Sequence, residues 1–224
     1  MIKSVQEYID RIESDHNSGR CIYRGHSKES YKLIPSIGRL IKDASRDEGI
    51  IYHNEKAALA IFESEYIQYE KPLPTGSTWE LITLAQHHGL PTRFMDWSLS
   101  PLTALFFAVE NITNENAAVY SLWTDDWLYT DELVNHDPFC ITKPWVYMPS
   151  HVSPRLKAQR GVFTVQPNIA EELDMASIKK LIIDKEFVND IKWQLYRLGI
   201  SAKTIYPDLD GLCGDLKWSH LNGL

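Results

Sequence analysis

Two stretches of this sequence concentrate side chains that could do chemistry. The first is Tyr23-Arg24-Gly25-His26. A β-prone run, Cys21-Ile22-Tyr23, stops at Arg24-Gly25, so a guanidinium stands at a strand end beside a residue with unusual backbone freedom. Arginine there suits a bidentate grip on phosphate or carboxylate, and glycine lets a ligand or another segment approach closely. The plainer alternative is an exposed salt bridge, which contributes little.

The second stretch is Gln86-His87-His88-Gly89-Leu90-Pro91-Thr92-Arg93-Phe94-Met95-Asp96-Trp97-Ser98. It packs polar groups into the connection between two helices, where rigid folds commonly carry binding residues. His87 and His88 fall in a last helical turn, which favours the protonated imidazole. They are candidate site residues. Arg93 and Asp96 are expected to pair, ordering the loop and fixing a histidine tautomer. Thr92 and Ser98 offer hydroxyls, and Trp97 joins Tyr23 as stacking surface. The alternative is a capped helix–loop–helix holding a buried ion pair. Arg155 and Gln159 form a third, smaller group before the β-prone Gly161–Val165.

Several chemistries find no support. Adjacent histidines on a helix diverge by about 100°, so His87 and His88 cannot share one ion, and no metal-binding spacing is present. No metal is expected. Ser98 and Ser100 lack a nucleophile-elbow setting. Cys21 reads as a buried, inert thiol.

The elements that must position these residues are legible from caps and periodicity. Ser4-Val5-Gln6-Glu7 and Ser77-Thr78-Trp79-Glu80 read as capping boxes opening helices. The first helix should end near Asn17-Ser18-Gly19. Glu55–Tyr69 reads as a helix, Lys71–Gly76 as a break, and Gly89 as a left-handed terminator followed by Pro91. Ser100-Pro101 opens another helix, with proline at its tolerated first position. Ala117–Trp123, Gly161–Val165, Lys180–Ile183 and Ile200–Tyr206 read as strands. Tyr31–Arg39 and Trp123–Pro149 read as irregular. Asp184 caps a helix over Glu186–Leu198 that ends at Gly199, and Asp208–Leu221 is a terminal helix. The expectation is an α+β chain, one mixed α/β domain over residues 1–224, with an N-terminal helix (1–19) and a small central sheet flanked by helices.

The bulk composition is that of a globular protein: 224 residues, 44% hydrophobic and 24% charged. The net charge of −7 argues against general nucleic-acid binding, which needs a basic face. Three scattered cysteines, Cys21, Cys140 and Cys213, argue against a disulfide framework. With a polar N-terminus and no run long enough to span a bilayer, a cytoplasmic address without membrane attachment is expected.

The chain resembles the FRG domain family, whose aromatic–Arg–Gly motif is matched by Tyr23-Arg24-Gly25 and whose most diagnostic stretch is similar to Gln86–Ser98. The helix Pro101–Ala108 and the segments Arg155–Phe163 and Tyr206–Gly211 extend that resemblance from about residue 20 onward. A second likeness is to ADP-ribosyltransferases. Arg24 looks like their early-strand arginine, and Ser98-Leu99-Ser100 before Ala104-Leu105-Phe106-Phe107-Ala108 looks like their Ser/Thr-x-Ser element.

That likeness implies an ADP-ribosyltransferase-like fold, a nucleotide or phosphate ligand, NAD as substrate and a protein acceptor. The activity would be an ADP-ribosyltransferase or an NAD glycohydrolase. Where those enzymes carry a late-strand glutamate, this chain offers Gln159 and Arg160. Either the acid comes from elsewhere, with Asp96 and Asp208 as candidates, or the site binds without this chemistry. The alternatives are a non-catalytic sensor of a nucleotide, phosphate or peptide, as in bacterial stress or phage defence, and a purely structural network.

Overall fold

The computed structural model describes residues 1–15, 20–44, 47–150 and 153–222. In chain order its elements are α1 (Val5–Asp15), β1 (Cys21–His26), α2 (Ser36–Ala44), α3 (Glu48–Glu65), α4 (Thr78–His87), β2 (Met95–Ser98), α5 (Pro101–Val109) and β3 (Ala117–Trp123). There follow β4 (Trp127–Leu128), β5 (Trp145–Tyr147), α6 (Pro154–Ala158), β6 (Gly161–Val165), β7 (Ile178–Ile183), α7 (Val188–Arg197), α8 (Ala202–Ile205) and α9 (Leu209–Leu216). This is the mixed α/β architecture expected.

The strands form one seven-stranded sheet in the order β4-β5-β6-β2-β1-β3-β7. Among these strands only β4 and β5 pair in parallel. Alternation along the strands separates two apolar faces. Cys21 and Tyr23 of β1 pack with α1, α5 and α7. Ile22 packs on the other face with Met95, Trp97, Tyr120 and Val162. A further cluster joins α4 to β5 and β6 through Trp79, Phe94, Tyr147 and Phe163.

The site-bearing elements are well punctuated. Ser77 accepts from the Glu80 amide at 3.3 Å, but the Glu80 carboxylate turns to the Thr75 amide and the Ser150 hydroxyl. Half of that capping box is therefore built. The Glu7 amide donates to Ser4, while its carboxylate accepts from the amide of Lys3. Gly89, at φ 92°, ends α4 in the left-handed conformation expected of it. Ser100 caps α5 through the Thr103 amide, with Pro101 at its first turn.

Four local expectations are corrected. Tyr31–Arg39 is not irregular throughout: Pro35 precedes α2, and Gly38 sits inside it because a Cβ there would lie 1.7 Å from the Ile169 carbonyl. The helix expected from Glu55 begins at Glu48, capped by Asp47. Ile200–Tyr206 forms no strand. Ser201 starts the short α8, with the Ser201 amide donating to Thr204 Oγ1. Trp123–Pro149 contributes β4 and β5, runs too short to show a period in sequence. The expected end of α1 near Asn17–Gly19 lies outside the described residues. Among those residues no helix is long and apolar enough to cross a membrane.

Candidate functional site

The sheet splits at the motif. On one side β1 pairs with β3 along its whole length, including Arg24 with Tyr120 and His26 with Ala118. On the other side it meets β2 only at Tyr23 opposite Ser98. Beyond that pair the two strands diverge, and the gap opens a cleft of about 530 Å³, within the roughly 300–1,000 Å³ range of small-molecule sites. The C-terminal ends of α4 and α5, the helix α6 and the strand β6 complete its walls.

Arg24 bridges the gap. Its side chain is 15% exposed, Nη1 donates to the Asp96 carbonyl, and Nε donates to His26 Nε2 at 2.9 Å. The Asp96 carboxylate is 4.0 Å away and mostly in solvent. Burial pulls the guanidinium down from its ordinary value, yet arginine stays charged in proteins. His26 accepts from Arg24, so its own proton sits on Nδ1, 3.3 Å from the Tyr31 carbonyl. Burial, then the neighbouring Arg24 charge, lowers its pKa to about 3. It is a neutral imidazole that aims the guanidinium.

Gly25 serves a different purpose from the expected approach of a ligand. A Cβ there would lie 1.9 Å from the Ala104 carbonyl and 2.6 Å from the Ala108 amide. The approaching segment is α5, seated directly on β1.

The sequence-selected residues divide. Tyr23, Arg24, Gly25, His26, His87, Asp96, Trp97, Ser98, Arg155 and Gln159 line the cleft. Tyr23 and Trp97 are core residues nonetheless, 7% and 3% exposed, and the Trp97 indole donates to Thr164 Oγ1. Ser98 is engaged: its hydroxyl donates to the Gln159 carbonyl at 2.6 Å and accepts from the Ser100 amide at 2.9 Å. The Gln159 amide donates to the Ile205 carbonyl.

Thr92, Arg93 and His88 lie outside the lining. Thr92 is buried and donates to Gln86 Oε1, while Gln86 Nε2 donates to Asp96 Oδ1 at 2.8 Å. Thr92 therefore acts on Asp96 through Gln86. The expected Arg93–Asp96 pair does not form. Arg93 is buried against Glu55, at 2.6 Å, and donates also to the Pro138 carbonyl. Asp96, on β2, faces solvent while Arg93 is buried, so the two charges point into different surroundings. Asp208, a fallback acid, caps α9 through the Gly211 amide and does not line the cleft.

His87 departs from the helix-dipole expectation. Burial, then His88 and Arg155, lowers its pKa. Local cations and desolvation outweigh the few tenths to 1 kcal/mol a helix terminus typically supplies. His88 is exposed at the end of α4, its ring edge-on to His87 at 4.9 Å.

Among the lining residues that sequence reasoning missed are Arg39, Tyr31, Phe107 and Glu110. Glu110 is half-buried, and desolvation raises its carboxyl above the ordinary range. The Tyr206 hydroxyl donates to it at 3.2 Å, and the Arg155 guanidinium lies over the Tyr206 ring at 4.4 Å. Its spacing of three from Phe107, at the end of an apolar helix, is the one available signal. The cleft thus gathers Arg24, Arg39 and Arg155 with Glu110 and Asp96. Among the described residues neither Arg39 nor Arg155 forms an ion pair, and no group of His, Cys, Asp and Glu could hold a metal. Such a set can hold a multiply charged anion and offer a carboxylate beside it.

The sequence model of the FRG domain matches residues 19–117. That segment supplies β1, α4, β2 and α5, hence Arg24, Asp96 and Glu110. No curated protein and no solved structure matches the chain.

Proposed function

We propose that the cleft of this chain, whose residues 19–117 match the FRG domain model, binds NAD and breaks the nicotinamide–ribose bond, as ADP-ribosyltransferases do. The observation that carries this reading is the sheet split. It presents Arg24, aimed by His26, inside a small-molecule-sized cleft that also holds Arg39 and Arg155, in a chain of net charge −7.

Each residue has a role in this reading. Arg24 and Arg155 grip the pyrophosphate. Tyr31 and Phe107 supply rings for the bases. As the C1′–N bond breaks, its electron pair leaves with nicotinamide and positive charge develops on the ribose, which the Glu110 carboxylate stabilises. Water or a protein acceptor then bonds to C1′ and gives its proton to Glu110 or, at the mouth, to His87.

Incubation with NAD and chromatography for nicotinamide tests this. Wild-type release that is lost in Arg24→Ala, with the fold retained, is the expected result. Absence of release across a range of acceptors sinks it.

One observation favours a second reading, a sensor that binds a nucleotide or phosphate without turnover. At the late strand, where those enzymes carry glutamate, Gln159 donates its amide to the Ile205 carbonyl, and no acid stands there. A ligand that raises the melting temperature and is recovered intact would establish it.

A further inference from the structure

A second cavity shares Glu110 with the cleft. It measures about 180 Å³ and lies among α5, α7, α8 and α9, far larger than the ~10–15 Å³ that one water requires. Three rings wall it: Phe106, Tyr196 and Trp218, the last two 5.7 Å apart.

At the cavity stands Asp215, 2% exposed. Its Oδ1 has no hydrogen-bond partner among the described residues. Its Oδ2 is 3.8 Å from the ammonium of Lys203, whose side chain is half in solvent. Ser201 also lines the cavity. A buried carboxylate oxygen without a donor is costly.

Gly214 precedes Asp215, and a Cβ there would meet nothing nearer than Ala202 Cβ at 3.9 Å. Lys192 is the resident cation. Its Nζ lies 4.7 Å from the Trp218 ring centre and donates to the Glu110 carbonyl at 2.7 Å. It shows that these walls take a cation, yet it makes no contact with Asp215 Oδ1.

We infer that this cavity is a subsite for a small organic cation, whose ammonium or guanidinium donates to Asp215 Oδ1 and lies against Phe106, Tyr196 and Trp218. The inference stands apart from the NAD reading, since none of its residues except Glu110 lines the cleft. The cation is either a free small molecule or the tip of a protein side chain, and the two sources share this chemistry.

Calorimetric titration of the full chain with methylguanidinium, and with an end-blocked Gly-Arg-Gly peptide, tests the inference. Wild type should bind at least one probe saturably. Binding by the peptide alone identifies a protein side chain, and binding by methylguanidinium identifies a free cation. Asp215→Asn should weaken the affinity at least about tenfold, the value of a charge-assisted hydrogen bond.

Gly214→Leu should abolish binding by filling the space, and it remains decisive if Asp215→Asn fails to fold. Arg24→Ala should bind as wild type does, which separates failure of the NAD reading from failure here. No saturable binding of either probe to wild type, or equal affinity in folded Gly214→Leu, overturns the proposal.

Discussion

The guanidinium of Arg93 and the carboxylate of Glu55 meet at 2.6 Å, with side chains 1% and 5% exposed. Glu55 also accepts from the Arg93 amide at 2.9 Å, and the guanidinium lies over the Phe139 ring at 4.0 Å. The pair ties α3 to the segment leading into β2, so the most conspicuous arginine of the central motif is a fastening rather than a ligand. Removing one partner strands the other as a buried charge. Arg93→Ala or Glu55→Ala should each cost about 3–5 kcal/mol, read from urea denaturation. The apolar double replacement Arg93→Met with Glu55→Leu should recover most of that loss. Single variants within ~1 kcal/mol of wild type would show that the pair does not hold α3 in place.

The contact between β1 and α5 makes Gly25 the least replaceable residue of the first motif. A methyl at position 25 collides with backbone of Ala104 and Ala108, which no rotamer change relieves. Gly25→Ala should therefore destabilise by about 1–3 kcal/mol or more and shift α5 together with Glu110. Equilibrium unfolding measures the first effect and ligand affinity the second. A variant as stable as wild type would mean the strand and helix are not in that contact.

His26 gives the protein a defined acid sensitivity. Its pKa is about 3 when folded against 6.5 ordinarily, burial being the main cause and Arg24, Arg39 and Lys180 adding to it. Between those values the unfolded chain binds a proton that the folded one refuses. Stability is therefore complete above pH 6.5 and falls as pH drops, at a slope approaching about 1.4 kcal/mol per unit. Unfolding free energies of wild type and His26→Gln, compared from pH 7 to 4.5, should converge as pH falls. Parallel curves would mean that His26 titrates normally.

Glu110 separates binding from turnover. If its carboxylate acts on the ribose in the transition state, Glu110→Gln should lower kcat for nicotinamide release by roughly 10²-fold or more. KM should change little. Arg24→Lys, which replaces a fork with a point charge, should instead act mainly on KM. Equal kcat in Glu110→Gln and wild type would remove Glu110 from the chemistry.

What the sequence determined by itself was everything written within a turn or two of chain. Ser77 and Ser100 cap the helices they were expected to cap, and Gly89 and Gly199 take the left-handed conformation that ends a helix. Caps and terminators act between residues a few positions apart, so their outcome is readable locally. The convergence of Tyr23–His26 with His87 and Asp96–Ser98 in one cleft was likewise foreshadowed by the density of polar types there.

Only the tertiary structure decided which polar group meets which. Arg93 turned to Glu55, 38 positions upstream, instead of Asp96 three positions on. Gly25 was reserved for α5, and Glu110 was brought into the same cleft as the arginines. Those outcomes follow from where the sheet splits and how helices seat on it. Burial then decides the charges: a guanidinium removed from water demands the nearest equally buried carboxylate, whatever its distance along the chain.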